Sequence, residues 1–516
     1  MSKKALVKEG TYFDSVTLMS ISKDIKAIDG VKEATIIMGT EANKGILESA
    51  GLLVPEAEAA RPNDLVIVID GDYEIMDDVI KKTNQMLAEQ KSSFDEEKEY
   101  NPRSLDGALD VQSNSNIVII SVPGEYATRE ARKALNKGLH VMLFSDNVPV
   151  EDEIELKKMA VEKGLLMMGP DCGTAIINGA PLSFANVVSR GPVGIVAAAG
   201  TGAQAVSTLV DRQGVGLSQV IGTGGRELQS KVKGIEMIKD MKALDKDDNT
   251  EVIVLISKPP AKEVSKKIMN EVKKLSKPVI VNFLGGDPSV VEGTDAIWAG
   301  NLEKAALKAA SVITGEEKSD ISLSEEEVNN IVEEETAKMS EKQKYIRGLY
   351  TGGTLTSEAI VILSEKFSEI YSNNPLKKEL KLKKGLKSIK NTIIDLGEDE
   401  FTRGKPHPMI EPSLRNDKLI EEAEDEEVAV VLLDVVLGYG SHMDPAGEVA
   451  KAIKEAKEKV VKRGGYLSVI ASVCGTDNDP QNLQVQEEKL RKVGAKVFPT
   501  NVQAVRVVSK IISDLN

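Results

Sequence analysis

Short runs of aliphatic residues recur along this chain, each ending in a glycine turn from which a helix-forming stretch departs. Ile117-Val118-Ile119-Ile120 runs into Val122-Pro123-Gly124, and the strand at 193–198 runs into Gly200-Thr201-Gly202. Gly348-Leu349-Tyr350 runs into Thr351-Gly352-Gly353-Thr354. Continuous apolar strands such as 428–436 are buried on both faces, and strand–turn–helix units in series build parallel sheets covered by helices. Hydrophobic residues make up 41% of the chain but aromatic residues only 3%, so Ile, Val, Leu and Ala must fill the cores. The expected fold class is α/β. It comprises several Rossmann-like or flavodoxin-like parallel-sheet domains and a small N-terminal α/β domain of ferredoxin-like type.

The 516 residues are enough for several domains. Residues 1–95 read as the small domain: strand 5–8, helix 14–28 capped by Asp14, strand 31–38, helix 41–50 and buried strand 64–69. The polar stretch 91–103 reads as a linker. Residues 105–190 alternate strand and helix and predict a right-handed parallel unit. Residues 191–312 and 346–516 echo each other, each opening with a strand, a Gly/Thr turn and a helix, which points to a diverged duplication. Between them, 313–345 is acidic and helix-prone. Ser324 with Glu327 has the spacing of a capping box, and the stretch reads as an interdomain helix or linker.

Charge and cysteine content exclude some functions. The formal net charge is −15, which gives no general attraction to nucleic acid or anionic lipid. The basic run 377–384 lacks interleaved aromatics and reads as solvated surface. Cys172 and Cys474 lie too far apart in sequence to form a metal-binding pair, and no metal site is expected. No apolar run approaches the roughly 18 residues of a membrane helix. The first ten residues lack a signal core, so a reducing cytoplasm is the expected location.

The glycine turns carry the candidate chemistry. Gly200, Thr201 and Gly202 aim unpaired N–H groups and the positive end of a helix at one point, which suits an anion. The alternative is a tight turn without ligand. Gly224 and Gly225 follow the neighbouring strand, and Arg226 beside them can clamp a phosphate or carboxylate or make a surface ion pair. Thr351, Gly352, Gly353 and Thr354 form a second such turn, so the chain holds either two sites or one between the repeats. His407 and His442 lie in loops where a site can be built, and either can donate to an oxyanion or make a structural bond. Arg403 and Lys405 beside His407 favour an anionic substrate. His140 and Cys474 read as structural.

From 117 to about 312 the chain resembles the α subunit of succinyl-CoA synthetase and the NDP-forming acyl-CoA synthetases. The matching stretches are VPGEYATREARKALNKGL, GPDCG, GPVGIVAAAGTGAQAV and IGTGG. By that resemblance 105–190 is a truncated CoA-binding-like Rossmann domain, and the two later units are flavodoxin-like ligase domains. Over nearly its whole length the chain resembles the FdrA family, through YFDSVTLM, IIMGTEANKGIL, DLGEDEFTRGKPHPMIEPSLR, LLDVVLGYGSHMDPAG and SVCGTDNDP.

Departures from the synthetase pattern matter. The segment 283–300, where that family carries a phosphohistidine, has no histidine, and the matching strand ends Ile256-Ser257-Lys258-Pro259-Pro260 without the supporting glutamate. Residues 104–116 hold only Gly107 where a glycine-rich CoA grip belongs, which leaves CoA a doubtful cofactor. The FdrA resemblance implies an oxamate carbamoyltransferase subunit in anaerobic allantoin and purine breakdown, working with two other subunits. It would interconvert oxamate and carbamoyl phosphate with oxalurate and phosphate. Phosphate or carbamoyl phosphate would sit at a glycine turn, Arg226 or Arg403 would hold the substrate carboxylate, and His407 or His442 would polarise the carbamoyl oxygen or move a proton. The alternatives are an acyl-CoA synthetase subunit and a non-catalytic scaffold, with a homodimer open in each case.

Overall fold

The computed structural model describes residues 2–11, 13, 15–94, 102–318, 323–383, 387–402 and 405–515. Asp14, Lys384 and Arg403 lie outside these residues. Two compact units form: Met1–Val111 with Asp399–Pro406, and Gln112–Glu398 with His407–Asn516.

The first unit holds strands β1 (Ser2–Lys8), β2 (Val31–Met38) and β3 (Leu65–Gly71) in an antiparallel sheet of order β1-β3-β2. β3 is central, which is why its run reads as continuously apolar from Leu65 to Ile69. The helices Ser15–Lys26 and Met76–Phe94 bury Leu18, Ile21, Ile25, Met76 and Val79 on one face of the sheet. Leu47, Leu52 and Ala57 cover the other face. A small α/β domain stands where one was expected, but its last helix runs to Phe94 and enters the stretch read as linker.

The second unit holds three sheets. Strands β4 (Ile117–Ile120), β5 (His140–Leu143) and β6 (Met167–Met168) form a parallel three-stranded sheet. A seven-stranded sheet contains β7 (Thr174–Ile177), β8 (Ala180–Ser183), β9 (Arg190–Ala197), β10 (Leu217–Gly222), β11 (Val252–Ser257), β12 (Val279–Phe283) and β13 (Ile297–Trp298). Its order is β13-β12-β11-β9-β10-β7-β8, parallel except at the β7–β8 hairpin edge. A five-stranded parallel sheet has the order β15-β14-β16-β17-β18. Its strands are β14 (Tyr345–Tyr350), β15 (Thr392–Asp395), β16 (Val428–Val436), β17 (Ser468–Cys474) and β18 (Lys496–Phe498). Every residue of β16 is buried.

The domain boundaries drawn from the sequence shift in three places. β7 and β8 leave the 105–190 segment and pair with β10, so that segment is not one domain. The 191–312 and 346–516 segments share one hydrophobic core that runs from Ile195, Ala203 and Val206 to Ile346, Leu432 and Val505. The acidic stretch contains the helix Glu325–Thr336, which carries the expected capping box and buries Val332 in that shared core, so it packs rather than links.

This fusion positions the site. β9 and β14 are interior strands of their sheets, and each feeds a glycine turn and a helix, Gly200–Arg212 and Gly353–Ser364. The two helices touch. Residues 202–210 of the first are all buried, because it lies between its own sheet and elements of the second repeat. No helix among the described residues is long and apolar enough to cross a membrane.

Candidate functional site

The two glycine turns predicted separately meet at one joint. The Thr354 amide donates to Thr201 Oγ1 at 3.2 Å. A Cβ placed on Gly352 would lie 3.0 Å from Thr201 Cγ2, and one on Gly202 would lie 2.9 Å from Thr354 Cγ2. Neither helix has a side-chain cap at its own N-cap residue, Ala199 or Gly352. The first-turn amides of Gly200, Thr201 and Gly202 have no acceptor inside their helix, and Gly200 is exposed. An anion has access from that side.

Half of the second turn is already filled from within. Asp434, fully buried in β16, accepts the amides of Thr351 and Gly352, both at 2.7 Å. Burial raises its carboxyl pKa, while Arg415 and these amides oppose the shift. Arg415 is itself buried and donates to the Asp434 carbonyl at 2.6 Å. The Thr351 and Gly352 amides therefore hold an internal carboxylate, not a ligand, and the Thr354 amide holds Thr201 Oγ1.

A second acid stands beside the joint. A Cβ on Gly353 would lie 2.7 Å from Asp395 Oδ2. Burial pushes the Asp395 carboxyl up to about 7, with Glu398 adding to the shift and Lys258 opposing it. Neither Asp395 nor Asp434 was singled out from the sequence, because Asp395 closes, and Asp434 sits within, an apolar strand that reads as core.

His407 reaches the same place. Its Nε2 lies against Gly397, where an added Cβ would be 2.6 Å away from it and 3.0 Å from the Thr351 carbonyl. The Met409 amide donates to His407 Nδ1 at 3.2 Å, so the neutral ring carries its hydrogen on Nε2. Burial pushes His407 down to about 4. A neutral ring of this kind can donate a hydrogen bond through Nε2. His442 adjoins it: the His442 amide donates to the Met409 carbonyl at 2.8 Å. His442 Nδ1 accepts the Asp444 amide at 3.0 Å, a structural bond at the head of the helix Pro445–Lys462.

The remaining candidates lie elsewhere. Arg226 Nη2 pairs with buried Glu153 and with the Val148 carbonyl, both at 2.8 Å. It borders the buried network in which Lys157 meets Glu153 at 2.7 Å and Glu227 at 2.5 Å. A Cβ on Gly224 would collide with the Pro170 carbonyl, and Gly225 abuts Asp171. The turn after β10 is thus packed by the chain's own backbone, and Arg226 is engaged in structure. His140 Nδ1 accepts the Leu166 amide at 2.9 Å. Cys474 sits 3.8 Å from Thr208 Oγ1, and burial pushes its thiol up to about 12, which leaves it unreactive.

Two α/β repeats meeting through their leading helices define a ligase-like architecture, and comparison with known proteins agrees. A family model described as CoA-ligase matches residues 349–511, and one described as CoA binding domain matches 188–285. A third, described as AllF, heavy metal-associated domain, matches 1–102. The chain belongs to the family of the uncharacterized protein YahF of Escherichia coli (strain K12). The two are 46% identical over 496 residues, covering 96% of this chain and 95% of YahF. Succinate–CoA ligase (ADP-forming) subunit alpha 2 of Archaeoglobus fulgidus is 26% identical over 175 residues, 33% of this chain and 58% of that subunit. The chain thus matches little more than half the length of that ligase subunit. The apo dinucleotide-forming acetyl-coenzyme A synthetase 1 of Ca. Korarchaeum cryptofilum superposes with a TM-score of 0.29 at 16% identity, covering 80% of this chain and 88% of that one.

The CoA binding match falls on the β9–β12 segment and not on 105–190, where the sequence placed a CoA-binding-like unit. The glycine turn after β10 is closed against the Pro170 carbonyl, which leaves no room there for a phosphate. A heavy metal does not fit: residues 1–102 contain neither histidine nor cysteine. Among the described residues no group of three or more His, Cys, Asp or Glu can hold a metal.

Proposed function

We propose that the helix joint binds the phosphoryl group of a small acyl phosphate, and that this chain is one subunit of a CoA-ligase-type group-transfer enzyme. The observation that carries this is the meeting of two helix amino ends at the Thr201–Thr354 contact, where the first-turn amides of Gly200, Thr201 and Gly202 have no acceptor inside their helix. The end at Gly200 contributes about half a positive charge, while Asp434 and Thr201 already occupy amides of the second turn, so the donors left for an anion are those of Gly200, Thr201 and Gly202. The CoA-ligase and CoA binding matches support the ligase side.

In this reading a nucleophile, from a second substrate or a partner subunit, attacks the acyl carbon. The carbon–oxygen bond to phosphate breaks, and phosphate leaves at the helix ends. The His407 Nε2–H is the donor for the carbonyl oxygen, and Asp395 exchanges the proton near neutral pH. CoA, when bound, would supply a thiol nucleophile.

The second reading is the FdrA one, in which the acyl phosphate is carbamoyl phosphate and the acceptor is oxamate. It is favoured by the segment 283–300, which carries no histidine for a phosphate relay. Two partner subunits, a second copy of this chain and a cytoplasmic setting belong to that reading.

Calorimetric titration with phosphate, acetyl phosphate, carbamoyl phosphate, oxamate and CoA tests both. Thr201→Asp places a permanent carboxylate at the joint, as Asp434 does at the neighbouring turn. It should keep or raise thermal stability while weakening phosphate-bearing ligands at least tenfold. Preference for carbamoyl over acetyl phosphate selects the second reading. No binding by any phosphoryl compound would overturn both and leave a scaffold.

A further inference from the structure

We propose that the groove between the helices Pro445–Lys462 and Leu483–Lys492 docks an acidic, partly apolar segment of a partner polypeptide. The groove lies in the five-stranded repeat, apart from the helix joint, and has a volume of about 540 Å³. Lys454, Lys457, Glu458, Val461 and Lys462 line one wall from a single helix face, at the i, i+3, i+4, i+7, i+8 spacing that brings side chains together. Lys492 and Val493 line the other.

The lysines of the first helix sort by face. Lys451 pairs with Glu448 at 2.6 Å, and Lys459 with Glu455 at 3.4 Å. The three that line the groove have no ion pair among the described residues; Lys457 instead donates to the Gly494 carbonyl at 2.6 Å. Burial holds Lys457 below the usual lysine range. Glu335 opposes this, and the neighbouring cations Lys338 and Lys496 add to it. On the other wall Lys492 pairs with Glu488 at 2.9 Å, while Lys454, Lys457 and Lys462 have no ion pair among the described residues, and an incoming carboxylate relieves the repulsion among those three.

The sum of charges decides the sign. Both helices end at the groove, and each carboxyl end brings about half a negative charge. Set against four lysines, Glu458 and the Glu488 paired with Lys492, this leaves roughly one net positive charge. The chain as a whole carries −15, so a locally cationic groove is a contrast that steers an acidic partner to one face.

The same features select a peptide over a phosphate. Val461 is 64% exposed at the groove's edge, an apolar contact that phosphate cannot use. Helix carboxyl ends present carbonyls, not the amides that cradle phosphate.

Fluorescence anisotropy of a labelled Glu/Leu copolymer peptide against the full chain tests this, with inorganic polyphosphate as competitor. Binding is expected at low ionic strength and should weaken with salt. Lys454→Glu with Lys462→Glu should weaken it at least tenfold, and Val461→Ser severalfold, with thermal unfolding unchanged because all three side chains are exposed. Three results would overturn the proposal: no peptide binding, binding unaffected by the lysine reversals, or binding that polyphosphate displaces and Val461→Ser leaves intact.

Discussion

Thr201 caps a helix that is not its own: its side-chain oxygen accepts the Thr354 amide at 3.2 Å across 153 residues of sequence. The contact ties the leading helix of one repeat to that of the other. Thr201→Val keeps the shape and removes the acceptor. It should lower unfolding free energy by about 1 kcal/mol, the usual worth of an N-cap, while Thr201→Ser should be near neutral. Urea denaturation of the three proteins measures both.

Close packing at the joint gives a second expectation. Ala at position 202 would bring a methyl 2.9 Å from Thr354 Cγ2 and 3.2 Å from Ile256 Cγ2. Gly202→Ala should cost about 1–3 kcal/mol through overpacking. Thr354→Ser deletes the nearer methyl, so the double variant should recover part of the loss. A double-mutant cycle showing no coupling would mean that the helices do not meet there.

The buried Asp434–Arg415 pair makes a steeper prediction. Asp434→Asn leaves Arg415 without its charge partner in a site that excludes water. A loss of about 3–5 kcal/mol is expected, read from guanidinium or urea midpoints.

Asp395 makes stability depend on pH in a definite direction. Its pKa rises from 3.8 to about 7 on folding, so between those values the native state binds a proton that the unfolded state has lost. Stability should therefore fall as pH rises from about 4 to about 7, by at most roughly 4 kcal/mol. Glu358, buried and pushed up to about 7, gives the same sign, so the Asp395 share is the slope that disappears in Asp395→Asn.

His407 contributes the opposite slope. Its pKa falls from 6.5 to about 4 on folding, so the unfolded state binds the extra proton in that window. Stability should rise as pH increases through it, and this part should vanish in His407→Gln. Imidazole resonances followed by NMR should show His407 neutral at pH 6, and a His407 titration midpoint near 6.5 would contradict the burial seen here.

What reads directly from sequence is local. The strand 428–436 emerges with the expected bounds because an unbroken apolar run fits only a doubly covered strand. The Ser324–Glu327 box closes because both partners lie within one turn. The glycine turns after β9 and β14 were visible for the same reason. For Arg226 the sequence left an anion clamp and an ion pair open, and the ion pair found has a partner, Glu153, more than seventy residues upstream, which a glycine turn cannot reveal.

The sequence alone therefore determined the parallel α/β architecture, the small N-terminal domain and the two glycine-led helix starts, all set by the periods of strands and helices. Only the tertiary structure decided that those starts meet, that Asp434 fills half of one, and that Asp395 and His407 stand beside the other half. Each depends on burial and on contacts between residues far apart in the chain, and burial is what raises the pKa of an acid in an apolar strand toward neutral.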